Sequence, residues 1–354
     1  MKTWKENWET SKENYLRWWE GKGLVISMWE HLKKKGEPHA NISVPPKYKD
    51  IHQLWFDPVW RADHIHYELS RSSFKADILP VANTQLGPGS LSAILGAELE
   101  GGEDTIWIKH REDFGDEIVF DDNNPWWKLH LDLIRECKKR SEGNYFVGMP
   151  DLIEGLDTLA GLRGSESVLM DMMMRPELLE LQLQKVNDIW FEVFDRIYEL
   201  IQENGEMAFC YFSIWGPGKV AKLQSDISVM ISEDDYRRFV QPFIREQCRK
   251  MDYTLYHLDG VDAIRHLDAI LEIEELSAIQ WTPGYGQPQG GDSSWYGLYR
   301  KILDHGKSIM PCWVELNELE PLLDKVGNHG LNILMHFKNE EEIDRALEIC
   351  SRFR

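Results

Sequence analysis

Eight or nine short runs rich in β-branched and aromatic residues punctuate this chain, and helical patterns fill most of the intervals between them. The runs are "GLVISMW", "DILPVAN", the weaker "DTIWIKH", "NYFVGMP", "MAFCYFSIW", "YTLYHLDG", "LSAIQWTPG", "KSIMPCW" and "LNILMHF". Such alternation points to parallel βα units, because a parallel strand needs a crossover long enough to hold a helix. This many units in 354 residues predicts an α/β protein, a single (β/α)8 TIM barrel over residues 1–354 with an N-terminal helical extension at about 1–20. No internal repeat, low-complexity segment or flexible linker divides the chain.

The helices carry local signals as well. From Pro176 to Glu203 the residues Leu179, Leu183, Val186, Trp190, Val193, Ile197 and Leu200 recur at three and four, which makes one buried stripe. Proline suits the first turn and Gly205 the end. Ser232 before "EDDYRRF" is an N-cap followed by acids, and Pro242 is expected to kink the helix that follows. Asn339 with Glu342 opens the last helix in the same way.

A formal net charge of −20 argues against nucleic acid and against an anionic membrane surface, since no basic patch is available to neutralise phosphates. There is no apolar run of transmembrane length and no signal-peptide core at the N-terminus. Five scattered cysteines fit reduced thiols, so a cytoplasmic location is expected.

In a parallel barrel the chemistry belongs at the C-terminal ends of the strands. Residues two apart on a strand share a face, so His257 and Asp259 of "YHLDG" project together before Gly260 turns the chain away. His336 follows "NILM" and Cys312 follows "SIMP". Barrel closure is expected to bring His257, Asp259 and His336 onto one ion, with Cys312 as an added or alternative ligand; such a set suits zinc or iron. Asp226, in the loop after "VAKLQS", is read either as a cavity-facing carboxylate or as a helix cap. Gln224 beside it, Arg163 as a carboxylate clamp, and the loop indoles Trp215 and Trp281 as stacking surfaces are candidate substrate contacts. No phosphate loop, dinucleotide fingerprint or G-x-S-x-G elbow is present.

"LQSDISVMISEDDYRRFVQPFIREQCRKMDYTLYHLDG" and "MPDLIEGLDTLAGLRGSESVLMDMMMRPELLE" resemble the uroporphyrinogen decarboxylase superfamily. The resemblance runs loosely from about Gly143 to the C-terminus and implies a (β/α)8 barrel with its site at the open end. The decarboxylase branch holds substrate carboxylates through an R-Q-A-G-R-like motif, whereas "SMWEHLKKK" occupies that region here. The corrinoid-dependent methyltransferase branch binds zinc through His-x-Cys and a late cysteine; the corresponding positions read His257-Leu258-Asp259 and His336. The resemblance therefore implies a zinc-assisted methyltransferase-like enzyme acting on a small molecule, with a corrinoid as co-substrate and a corrinoid protein as partner. The alternative is a metal-independent decarboxylase or lyase with Asp226 and His257 as acid–base groups and Arg163 on a carboxylate. A binding protein for a corrinoid or sugar is a further alternative.

Overall fold

The computed structural model describes residues 4–87, 89–111 and 113–353. Its strands are β1 (Leu24–Ser27), β2 (Val81–Ala82), β3 (Glu98–Gly101), β4 (Ile106–Lys109), β5 (Phe146–Val147), β6 (Glu206–Phe209), β7 (Ile214–Pro217), β8 (Val220–Leu223), β9 (Tyr253–Asp259), β10 (Ala278–Thr282), β11 (Ser308–Pro311) and β12 (Leu331–Leu334). The architecture is α/β. A parallel six-stranded central sheet runs in the order β1-β12-β11-β10-β9-β8.

Further parallel pairing lies outside that sheet. β2 pairs with β5, and a parallel bridge joins Met149, just past β5, to Phe209 at the end of β6. Asp77, leading into β2, binds β1 twice: its N–H donates to Ile26 O at 2.8 Å, and its Oδ2 accepts from Ile26 N at 3.0 Å.

The helix Pro176–Ile201 lies where the apolar stripe predicts, with Leu179, Leu183, Val186, Trp190, Val193 and Ile197 buried. Ser232 and Asn339 both cap as expected, accepting from Asp235 N and Glu342 N. Pro242 does more than kink. The chain forms two helices, Glu233–Phe239 and Gln241–Lys250, because proline has no N–H to continue the ladder and instead opens the second helix.

Three strand readings change in the structure. "DTIWIKH" forms β4, which pairs antiparallel with β3 outside the central sheet. "MAFCYFSIW" is broken by a 3-10 turn at Tyr211–Ser213 into the antiparallel pair β6 and β7. The short β8, which lies outside the nine strand-like runs of the sequence, supplies an edge of the central sheet.

One contiguous hydrophobic core runs through these layers from Trp4 to Cys350. The N-terminal helix Trp8–Trp19 is built into it: Trp8, Tyr15, Trp18 and Trp19 are buried, and Trp19 Nε1 donates to Trp215 O at 2.9 Å. Each buried indole removes about 150–250 Å² from water, worth about 4–6 kcal/mol of transfer free energy. Among the described residues no helix is long and apolar enough to cross a membrane.

Candidate functional site

The register of β9 against β10 builds the floor of the site. His257 pairs with Gln280 and Asp259 with Thr282, while Leu258 pairs with Trp281. Period-two geometry therefore gathers His257, Asp259, Gln280 and Thr282 on one face and sends Leu258 and Trp281 to the other. Lys222 lies on β8, and Gln224 and Asp226 follow it at two-residue steps just beyond the strand, Asp226 opening a 3-10 turn.

Among the described residues, Asp226, His257 and Asp259 bring one ligand atom each within 4.8 Å of one another. His257 is buried. Its Nδ1 is hydrogen-bonded to Gln280 Oε1, and Gln280 Nε2 donates to Thr282 Oγ1 at 2.9 Å. A carbonyl oxygen only accepts, so this contact puts the proton on Nδ1 and leaves the Nε2 lone pair free. That nitrogen stands 3.7 Å from Asp259 Oδ2. Burial, then the Lys222 charge, push His257 down to about 3, against the opposing Gln280 bond. The imidazole is neutral at physiological pH, the form in which histidine binds a metal.

The carboxylates are tuned the other way. Asp226 is open to water on one side yet closely surrounded by protein. Burial and the nearby Asp157 carboxylate push it up to about 7, with Lys222 opposing. Burial also raises Asp259, and Lys222 again opposes. Asp157 holds the Asp226 loop in place, accepting from Asp226 N at 2.7 Å and Ile227 N at 2.9 Å. Glu154 accepts from Gln224 N at 2.6 Å, and burial lifts its carboxyl well above the usual range. Asp151 pairs with the buried Lys222 at 2.6 Å.

An aromatic rim borders this cluster. Trp29 packs against Tyr211 and Phe212 with ring centres 4.6 and 4.9 Å apart, and Phe212 reaches His257 at 5.3 Å. Trp313 stands 6.4 Å from Trp29 and, with Cys312 and Met28, lines a small adjoining cavity. Phe212, Ser213 and Trp313 all hold left-handed backbone, with φ of 62°, 49° and 58°. Such conformations cost about 1–3 kcal/mol each in bulky residues and concentrate at functional sites.

The remaining sequence candidates are placed as follows. His336 lies at the end of β12 against Trp313, 5.6 Å between ring centres, and is outside the three-residue cluster. Cys312 is buried with Sγ 3.5 Å from Thr282 Oγ1; burial pushes its thiol up to about 11, so it is protonated rather than a thiolate. Gln224 is buried with both ends of its amide engaged, accepting from Lys222 and donating to Asp226 Oδ2 at 2.8 Å. Arg163 is bound by Asp171 at 2.7 Å and Gln182 at 2.9 Å. Trp215 packs on Trp8 and Tyr15, and Trp281 packs on Trp295. Lys222 and the acids Asp151, Glu154 and Asp157 are the residues of this site that the sequence alone does not single out. The signals were the two-residue steps in "KLQSD" and the three-residue steps in "DLIEGLD".

Neither a protein-family model nor a curated protein sequence matches the chain. Among solved structures it is similar to a methyltransferase from Methanosarcina mazei, with a TM-score of 0.60 and 11% sequence identity over 97% of this chain and 98% of that one. At that identity the likeness shows a common fold.

Proposed function

We propose that this protein is a metal-assisted methyltransferase-like enzyme of the uroporphyrinogen decarboxylase superfamily, its parallel strands closing into a (β/α)8 barrel, with Asp226, His257 and Asp259 holding a zinc or similar divalent ion. The observation that carries the reading is the convergence of these three donors. Two ligands at about 2.1 Å from a tetrahedral zinc are about 3.4 Å apart, and His257 Nε2 and Asp259 Oδ2 are 3.7 Å apart with no hydrogen bond between them. One nitrogen and two carboxylates form a hard to borderline donor set, acceptable to zinc, iron or manganese. The fold shared with a methyltransferase supports the reaction class.

Asp226, His257 and Asp259 would hold the divalent ion, which when bound would lower the pKa of a substrate thiol or hydroxyl and so supply the nucleophile. The chain's own residues prepare the place. Gln280 fixes the His257 tautomer, Asp157 anchors the Asp226 loop, and Trp29, Tyr211, Phe212 and Trp313 form an aromatic border on one side. A corrinoid as methyl-carrying co-substrate, presented by a corrinoid protein, is part of this reading.

The test is metal analysis of purified protein, followed by zinc titration and a methylcobalamin demethylation assay with thiol acceptors. Near-stoichiometric metal that is lost in His257→Ala, with demethylation that depends on it, supports the reading; no metal and no zinc binding removes it. One observation favours a second reading in that event. A carboxyl titrating near 7, as Asp226 does, is matched to general acid–base work in a metal-free lyase or decarboxylase. That reading needs another carboxylate clamp, because Arg163 is occupied by Asp171 and Gln182.

A further inference from the structure

A buried ammonium beside a cation site is electrostatically unfavourable, and this chain keeps one. The Lys222 side chain has no exposure to solvent. Its Nζ binds Asp151 Oδ2 at 2.6 Å, donates to Gln224 Oε1, and lies 5.1 Å from the centre of the Tyr211 ring. By Coulomb's law alone its charge weakens binding of any cation at Asp226, His257 and Asp259. Its charge also favours the ionised forms of Asp226 and Asp259; a geometric role is separate from both effects.

The hydrogen bonds supply one. An amide side chain has an acceptor end and a donor end. Lys222 can only donate, so it captures Gln224 Oε1, which turns Gln224 Nε2 toward Asp226 Oδ2 at 2.8 Å. The reversed amide is unfavourable at both ends, with NH₂ facing an ammonium and oxygen facing a carboxylate. Glu154 pins the same residue through its backbone N–H at 2.6 Å. With Oδ2 held by Gln224, the Asp226 carboxylate is fixed in rotation.

We infer that Lys222 is a positioning residue that acts through Gln224 to orient the Asp226 carboxylate toward His257 and Asp259. Asp151 keeps the ammonium in place and neutralises it. This inference rests on the metal-site reading above for its principal measurement and has a second readout that does not.

The experiment compares zinc affinity, by competition with a chromophoric chelator, in the wild type, Lys222→Met, Gln224→Leu and the double variant. Lys222→Met weakens zinc about tenfold or more, as loss of an outer-sphere partner does, although a like charge has been removed. Gln224→Leu, which leaves the Lys222–Asp151 pair intact and is the variant to rely on if Lys222→Met does not fold, weakens it similarly. The double variant is no worse than either single one. Tighter zinc binding in Lys222→Met, unchanged affinity in Gln224→Leu, or additive losses overturn the inference. If the wild type binds no zinc, the metal reading fails and the inference is decided by the crystal structure of Gln224→Leu. A carboxylate of Asp226 rotated away from His257 supports it, and one in its present position overturns it.

Discussion

His257 Nε2 and Asp259 Oδ2 face one another across 3.7 Å on one side of β9. That gap is too long for a hydrogen bond and close to the separation of two donors on one ion. It exists because Gln280 on the neighbouring strand takes the other ring nitrogen, so the imidazole cannot turn to satisfy itself on the carboxylate.

If His257 holds zinc as proposed, Gln280→Leu should reduce zinc affinity by about 10–100-fold, the usual cost of losing the group that orients a metal-binding histidine. Chelator competition measures it. Affinity within twofold of wild type would show that Gln280 does not set the His257 tautomer.

At the proposed site, zinc affinity in the wild type should depend on pH with a definite sign. Burial and the Asp157 carboxylate push Asp226 up to about 7, and a ligand carboxylate must shed its proton before binding. Affinity climbs by about tenfold per pH unit up to neutrality, then levels off. Titrations at pH 5.5, 6.5 and 7.5 that give one constant would remove Asp226 from the ligand set.

The same group makes a prediction for the metal-free protein. Burial and Asp157 push its folded pKa up to about 7, above the ordinary aspartate value of 3.8, so between these values the folded state holds the proton more tightly than the unfolded chain. Stability contributed by Asp226 is present below the lower value and is lost as pH rises through the upper one. In the presence of a chelator, Asp226→Asn should raise the melting temperature more at pH 8 than at pH 5. An equal shift at both would mean that the carboxyl titrates normally.

Arg163→Met should destabilise the fold by about 2–4 kcal/mol, because it strands a buried carboxylate. The loss falls short of a fully orphaned charge, since Arg175 also reaches Asp171 at 2.8 Å. Denaturant unfolding measures it. Zinc affinity is unchanged, and a variant of normal stability that loses substrate binding would restore Arg163 as a substrate contact.

Trp281→Ala should cost about 3–5 kcal/mol as a large-to-small change in the core, because its ring packs on Trp295 behind the sheet. Ligand-induced fluorescence changes should survive in milder Trp281→Phe protein. Their disappearance would place this indole at the ligand.

Local chemistry made parts of this protein readable in its sequence. Helix stripes, the Ser232 and Asn339 caps, and the pairing of His257 with Asp259 on one strand face all depend on residues a few positions apart. The side of a β-strand is set by a period of two, which no distant contact alters, so the shared face of His257 and Asp259 was legible. Which other residues meet that pair depends on how strands lie beside one another. Register between β9 and β10 brought Gln280 to His257 and turned Trp281 away. The loop after β8 delivered Asp226 to the cluster, whereas β12 left His336 beside Trp313. Arg163 and Asp171 lie on consecutive helices, but their pairing required both to be buried together. Lys222 was hidden most completely. A lone lysine in a short apolar run looks like an edge residue until packing closes over it, and only the tertiary structure supplies the Asp151 carboxylate that makes its burial affordable.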